Sequence, residues 1–508
     1  MPDLPKTISE LLARGADGAA ALTSPGGKPL TYTALRALAK DVAQSLNSRG
    51  IGARDRVAIV LDNGPEMAAA FLAISSCATA APLNPGYRAD EFEFYLTDLR
   101  ARLLVVAHDK ESASVDVAKK LNVPIVRLVP QPDKGAGMFS LDFADRASTG
   151  SKARGALPDD IALVLHTSGT TARPKIVPLA HKNVCASAEN VRASLALTAK
   201  DRGLVIMPLF HIHGLIAALL APLSAGGEVC CSTGFNALKF FGWLSEVKPT
   251  WYTGVPTMHQ AILLRAPGNA DVVKNHRLRF VRSSSSSLPP KVIGELESLY
   301  GIPVIEAYGM TEAAHQMASN ALPPGQRKPG TVGRAAGPEI RIADAVGKSV
   351  PSGATGEIVI RGPNVMKEYE NNSAANADAF YGDWFRTGDQ GVMDADGYVS
   401  ITGRLKEIIN RGGEKISPRE VDEIMMEHPA VHQCVTFGMP HEMLGEEVAA
   451  AIVLKQGVVA SEKDLRDFAK VKLADFKVPK KILILPEIPV GATGKLQRIG
   501  LAQKLGLG

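Results

Sequence analysis

The sequence predicts an α/β fold: a large N-terminal domain of doubly wound α/β subdomains with a β-rich subdomain, then a small α+β C-terminal domain. Three observations predict it. From about residue 29, short apolar strand patterns alternate with helical ones. Around Thr331 that alternation gives way to short strands and turns, and after Gly403 a charged stretch leads into a strand-and-helix pattern of its own.

Residues 30–50 carry the amphipathic period of a helix that Gly50 ends, and 55–63 form a short apolar run of the kind buried in a parallel sheet. Residues 65–82, rich in alanine, read as a second helix, and the apolar runs 101–109, 123–130 and 161–169 read as strands bounded by turn residues. Residues 204–208, 228–233 and 251–256 continue the strand pattern. Gly203 to Gly227 contains no Lys, Arg, Asp or Glu and is long enough to span a bilayer. Two prolines, four glycines and the pair His211 and His213 favour instead a buried helix beginning near Gly214. Residues 339–344 and 356–363 are short strands, and Asp396-Gly397 between alternating runs predicts a hairpin over 394–404. Strands over 431–440 and 448–454 and a helix over 461–477 complete the C-terminal part. The boundary falls at residues 404–406, dividing 1–403 from 407–508.

At roughly 100–200 residues per domain, 508 residues hold about three domains or one large and one smaller. With 45% hydrophobic residues and 21% charged the chain has ample core, which excludes a disordered or collagen-like protein. The excess of 57 Lys and Arg over 52 Asp and Glu is too dilute to argue for nucleic acid or anionic lipid. Five scattered cysteines (Cys77, Cys185, Cys230, Cys231, Cys434) show no metal-ligand spacing and suit a reduced, cytoplasmic setting. No targeting signal is recognisable at either end.

Five stretches carry chemistry. Residues 165–178 follow a strand and gather Thr167, Ser168, Gly169, Thr170 and Thr171 with Arg173 and Lys175: small hydroxyls, backbone N–H groups and cations, which phosphate oxygens require. A Ser/Thr/Gly turn capping a helix would look similar. Tyr308, Thr311 and Glu312 stand just after an apparent strand, where open α/β sheets bind ligands. There an aromatic face can stack a base, a hydroxyl can meet a phosphate, and a carboxylate can hold magnesium. Asp389 lies in a Thr-Gly-Asp-Gln-Gly loop, Arg404 and Lys406 follow Gly403, and Lys495 follows Gly494.

Taken singly each is a turn or a solvated charge, but in this order they resemble the acyl-adenylate-forming superfamily of AMP-dependent acyl-CoA synthetases, over roughly residues 10–500. The resemblance implies ATP, coenzyme A and Mg²⁺ as reactants and cofactor. It makes Thr167 to Lys175 a loop over the ATP phosphates and Tyr308 the adenine stack, with Glu306 and Ala307 beside it. Thr311 would contact the α-phosphate, Glu312 bind the metal, and Asp389 hold the ribose hydroxyls with Arg404 alongside. Lys495 would bridge the substrate carboxylate and the α-phosphate during adenylation. The C-terminal domain would then swing about Lys406 and present Arg411, Gly412 and Gly413 to CoA. Two departures stand out: Ile176 replaces the usual glycine after Lys175, and Ala172-Arg173 replaces a glycine-containing pair.

The family's usual bland Ser-Gly-Ala-Ala-Pro-Leu wall reads Ser283 to Ser287 and Leu288 here. Long acyl chains need apolar lining, at about 0.8 kcal/mol per buried CH₂, whereas His211, His213, the serine run and His315 are donors suited to a short or doubly charged acid. The phrases around these residues look particularly like oxalate–CoA ligases of plants and fungi, with His211, Ser285 and His315 as the grip on oxalate. Malonate-activating relatives more often carry Arg where this chain has Ala307. A malonyl-CoA or a short- or medium-chain fatty acyl-CoA synthetase is the alternative within the family. A peptide-synthetase module and a non-catalytic binding protein are the alternatives outside it.

Overall fold

The structure, a computed structural model, describes residues 4–143, 154–167, 174–489 and 497–508. It is mixed α/β, with a large N-terminal domain and a smaller C-terminal one. Among the described residues, one compact unit comprises those up to Thr167, Lys175–Ile340 and Ile360–Phe385; the other is chiefly Arg341–Val359 and Arg386–Gly508.

The first unit is built on two sheets. A seven-stranded sheet runs Phe139–Phe143, Ile125–Pro130, Leu103–Ala107, Arg56–Val60, Thr79–Pro82, Ile161–Thr167, Lys175–Ala180. Its inner strands are parallel and its two edge strands antiparallel. The apolar runs read as strands at 55–63, 101–109 and 123–130 lie here, as does 161–167 of the run read at 161–169. Residues 65–82 are not one helix: the helix Pro65–Ser75 stops, and Thr79–Pro82 becomes a strand beside Arg56–Val60. Both pieces are buried on every side, so their small apolar residues carry neither the helical nor the strand period.

The second sheet has nine strands in the order Arg334–Ala335, His315–Ser319, Val304–Met310, Phe280–Ser283, Trp251–Gly254, Arg202–Val205, Glu228–Cys231, Ala20–Thr23, Leu30–Thr31. From Val304–Met310 to Ala20–Thr23 the neighbours are parallel. The uncharged segment forms a buried π-helix, His213–Leu220, continued by the α-helix Ala221–Ser224. A side chain at Gly214 would put its Cβ 2.1 Å from the carbonyl oxygen of Pro208, so only glycine lets the helix start this close to the preceding turn. Among the described residues no helix is long and apolar enough to cross a membrane.

In the second unit the hairpin Trp384–Met393 and Val399–Arg404 forms as its Asp-Gly turn predicts, with Gly397 at φ 83°. Its register sets Asp389 opposite Arg404. Beyond it, Glu414–Ile416, Ile409–Arg411, Gly445–Leu454 and Val431–His441 make an antiparallel sheet that Lys481–Ile484 joins in parallel. Helices Pro418–Met426 and Glu462–Lys472 contribute Val421, Met425, Leu465 and Ala469 to its core. Ser461 starts the second of these helices with a reciprocal cap to Asp464.

Two buried histidines make the stability pH-dependent. Burial holds His181 and His259 to a pKa of about 4, against an ordinary 6.5, because the charged form would lose its hydration. Between those values the unfolded chain binds more protons than the folded one, so stability rises with pH through the window and is lost as pH falls from 6.5 toward 4. Thermal unfolding followed at a series of pH values should show Tm falling steeply below pH 6.5; replacing His181 by Asn should flatten that slope.

Candidate active site

Five motif residues of the first unit, Glu306, Ala307, Tyr308, Thr311 and Glu312, lie on or just after one strand of the nine-stranded sheet. Strand Val304–Met310 carries Glu306, Ala307 and Tyr308, each almost fully buried, and the turn Thr311–Ala313 follows at once. The chain then reverses through Ala314 (φ 47°) and His315 (φ 100°) into the antiparallel strand His315–Ser319. Ser285 also sits at positive φ, 71°. Three non-glycine residues in that region cost about 1–3 kcal/mol each and persist only where surrounding contacts hold them. Here Asn364, buried, clamps the reversal by donating to the carbonyls of Ala313 (2.8 Å) and Gln316 (2.9 Å). Gly309 is required as well, since a Cβ there would lie 1.9 Å from the His315 carbonyl oxygen.

Glu312 is buried, and its Oε1 accepts a hydrogen bond from the Tyr369 hydroxyl at 2.8 Å. The Lys175 ammonium lies 4.3 Å from the centre of the same tyrosine ring. Lys175 is itself paired across the hairpin with Thr167. Thr167, Lys175 and Glu312 are thus brought together through Tyr369, which the sequence reading did not single out. Ser168, Gly169, Thr170 and Thr171 lie outside the described residues, as does Lys495. Among the described residues no three His, Cys, Asp or Glu side chains gather into a metal cage. A single buried carboxylate fits Mg²⁺ nonetheless, because that ion is ordinarily held by one or two carboxylates together with substrate phosphates.

The acid-pocket candidates form a polar cluster around a residue that the sequence does not single out. Arg282 is completely buried on strand Phe280–Ser283, and among the described residues no carboxylate pairs with it. One guanidinium nitrogen approaches His213 Nε2 and Thr253 Oγ1, each at 3.3 Å. The other approaches His315 Nε2 at 3.0 Å and donates to Gln316 Oε1 at 3.3 Å. His213 reaches Thr253 Oγ1 at 2.6 Å through Nε2 and Ser285 Oγ at 3.0 Å through Nδ1. The two imidazoles stack, centroids 4.8 Å apart. Burial first, and the Arg282 charge second, push His315 well below its ordinary pKa, so it is neutral. Ser285 and His315 therefore join one network, and it is His213 that bonds Ser285, while His211 is half-buried against Phe210. The only hint of Arg282 in the sequence is a lone cation inside an apolar strand.

In the second unit Asp389, buried, accepts from Arg404 Nε at 2.7 Å across the hairpin, and its own N–H donates to Thr387 Oγ1 at 3.0 Å. Glu357 fixes the approach by accepting from Arg386 Nε (2.9 Å) and the Gly388 N–H (3.1 Å). Lys406 is exposed just beyond. Gly412 and Gly413, at φ 58° and 96°, are the central pair of a tight hairpin between Ile409–Arg411 and Glu414–Ile416, and both positive angles are what its twist demands. Arg411 is held by Glu447 at 2.6 Å, and that bond raises its pKa.

A surface groove of about 990 Å³ lined by Leu263, Val273, Lys291 and Tyr300, among others, contains none of these residues.

Known proteins resemble the chain over most of its length. The family model for the AMP-binding enzyme matches residues 10–370, and that for the AMP-binding enzyme C-terminal domain matches 420–495. The chain is 44% identical to an oxalate–CoA ligase of Arabidopsis thaliana, covering 95% of each, and 42% identical to an oxalate–CoA ligase of Saccharomyces cerevisiae, covering 89% of this chain and 87% of that one. Among solved structures, ATP-bound MatB from Rhodopseudomonas palustris superposes with a TM-score of 0.88 at 30% identity, over 98% of both chains.

Proposed function

The chain belongs to the AMP-binding enzyme family, whose acid–CoA ligases use ATP, coenzyme A and Mg²⁺, and from that premise we propose that its acid is oxalate. The observation that carries this reading is the network of buried Arg282, His213 and His315 with exposed Ser285, a cluster of donors with a positive charge that no carboxylate among the described residues pairs with. A fatty or aromatic acid entering there would bring no acceptor for the Ser285 hydroxyl or the His315 ring, at about 1–3 kcal/mol each. Oxalate supplies a second carboxylate for them. The two oxalate–CoA ligases at 42–44% identity support the same choice.

In the reaction so read, Thr167 to Lys175 steady the ATP phosphates, Tyr308 stacks on adenine beside Glu306 and Ala307, and Thr311 contacts the α-phosphate. Asp389, ion-paired with Arg404, accepts from the ribose hydroxyls. Glu312 would hold Mg²⁺, which neutralises charge on the phosphates. Lys495 donates to both the attacking carboxylate and the α-phosphate while pyrophosphate leaves. Residues 1–403 and 407–508 act as domains that turn about Lys406, after which the Arg411-Gly412-Gly413 turn admits the pantetheine arm and the thiolate displaces AMP. The reduced state of the five cysteines suits a cytoplasmic enzyme, and none is needed as a nucleophile.

Steady-state AMP formation should give the highest kcat/KM with oxalate in a panel including malonate, acetate, octanoate and 4-coumarate. Preference for octanoate or coumarate would overturn the assignment of the pocket.

A further inference from the structure

We propose that Arg282 is a positioning residue that fixes His213 and His315 as neutral Nδ1–H tautomers, so that the Ser285 hydroxyl and the His315 Nδ1–H are offered as donors to the second carboxylate of the acid. The inference deepens the oxalate reading and rests on it for the identity of the anion, but the tautomers themselves follow from hydrogen-bond chemistry alone.

A guanidinium has five N–H donors and no acceptor. Any ring nitrogen in hydrogen-bond contact with it must present a lone pair. His213 Nε2 and His315 Nε2 both face Arg282, at 3.3 and 3.0 Å, so neither carries a proton there. An imidazolium would set N–H against N–H in a fully buried place, so both rings are neutral with the proton on Nδ1. Thr253 agrees: its oxygen accepts from Arg282 and its hydroxyl hydrogen points to His213 Nε2 at 2.6 Å.

The consequence runs outward from the buried charge. His213 Nδ1–H donates to Ser285 Oγ at 3.0 Å, which occupies an acceptor site of that hydroxyl and turns its hydrogen away from the ring. Ser285 is exposed, at φ 71°. On the other arm, His315 Nδ1 lies against Gly309, within 3.2 Å of where a Cβ would stand, next to the Tyr308 and Thr311 segment. Arg282 itself is fully buried among His213, Thr253, His315 and Gln316, so its part is played through the histidines. A solitary imidazole in water favours the proton on Nε2, so the arrangement reverses the ordinary preference at both rings, and a single residue accounts for both.

The test uses the full-length chain with ¹⁵N-labelled histidine, its His213 and His315 signals assigned through His213→Gln and His315→Gln. Long-range ¹H–¹⁵N spectra at neutral pH should show protonated Nδ1 and bare Nε2 for both rings. Either ring found as the Nε2–H tautomer or as imidazolium overturns the proposal, whatever acid the enzyme takes. In Arg282→Gln the KM for oxalate should rise about 10- to 100-fold with the KM for ATP unchanged, and at least one of the two tautomers should be lost. Arg282→Lys, which also only donates, should recover part of the KM. Equal rises in the KM for oxalate and ATP, with both tautomers kept, would reduce Arg282 to a structural residue and overturn the proposal. The acid panel decides separately whether oxalate is the anion being held.

Discussion

Lys495→Ala is expected to slow formation of the acyl-adenylate by about 10²–10³-fold, the usual cost of removing one preorganised donor from a developing oxyanion. The attack of CoA on acyl-adenylate supplied from outside should proceed within a few-fold of the unaltered rate. The asymmetry follows from charge: the first half-reaction brings a carboxylate against an α-phosphate, two anions that repel unless a cation sits between them, whereas the second expels AMP from a neutral carbonyl carbon. Pyrophosphate–ATP exchange reads the first step and thioester formation from synthetic oxalyl-AMP reads the second. Equal loss in both would mean that the lysine supports the C-terminal segment as a whole. Arg498, three residues on, already anchors that segment through an ion pair to Asp422, so the alanine variant should fold.

Glu312→Gln is the second large effect, with a fall of at least about 100-fold in kcat/KM for ATP and a shift of the Mg²⁺ requirement to higher concentration. The amide keeps the size of the side chain and can still accept from the Tyr369 hydroxyl, so the contact at 2.8 Å survives while the charge does not. A magnesium titration separates the two roles of this carboxylate. If activity falls with the magnesium dependence unchanged, Glu312 serves only to orient Tyr369 beneath Lys175. Tyr369→Phe gives the complementary result: the metal requirement should hold while the carboxylate loses one fixed partner.

How far the sequence discloses this molecule depends on whether the physics is local. The hairpin at Asp396-Gly397 was legible because a tight turn states its needs within a few residues. The strand Thr79–Pro82 was not, because alanines buried on both faces have no period to read. The candidate nucleotide residues were legible as an ordered set of motifs. Tyr369 was not, since its partners Lys175 and Glu312 stand 194 and 57 residues away in the chain and nothing beside it marks the contact. Arg282 is the sharper case: inside an apolar strand it resembles an edge charge, and only the fold brings Thr253, His213, His315 and Gln316 around it. The same distance explains why His211, and not His213, was chosen beside Ser285 from sequence: two histidines separated by one residue differ only in which of them a π-helix begins with.

The central claim is that this AMP-forming ligase adenylates a small dianionic acid. Oxalate-dependent exchange of labelled pyrophosphate into ATP in the absence of CoA, followed on addition of CoA by mass-spectrometric detection of the thioester, tests it most directly. The account predicts rapid exchange with oxalate, slow exchange with acetate and octanoate, and oxalyl-CoA as the product. Exchange driven by octanoate or coumarate with none from oxalate would contradict it.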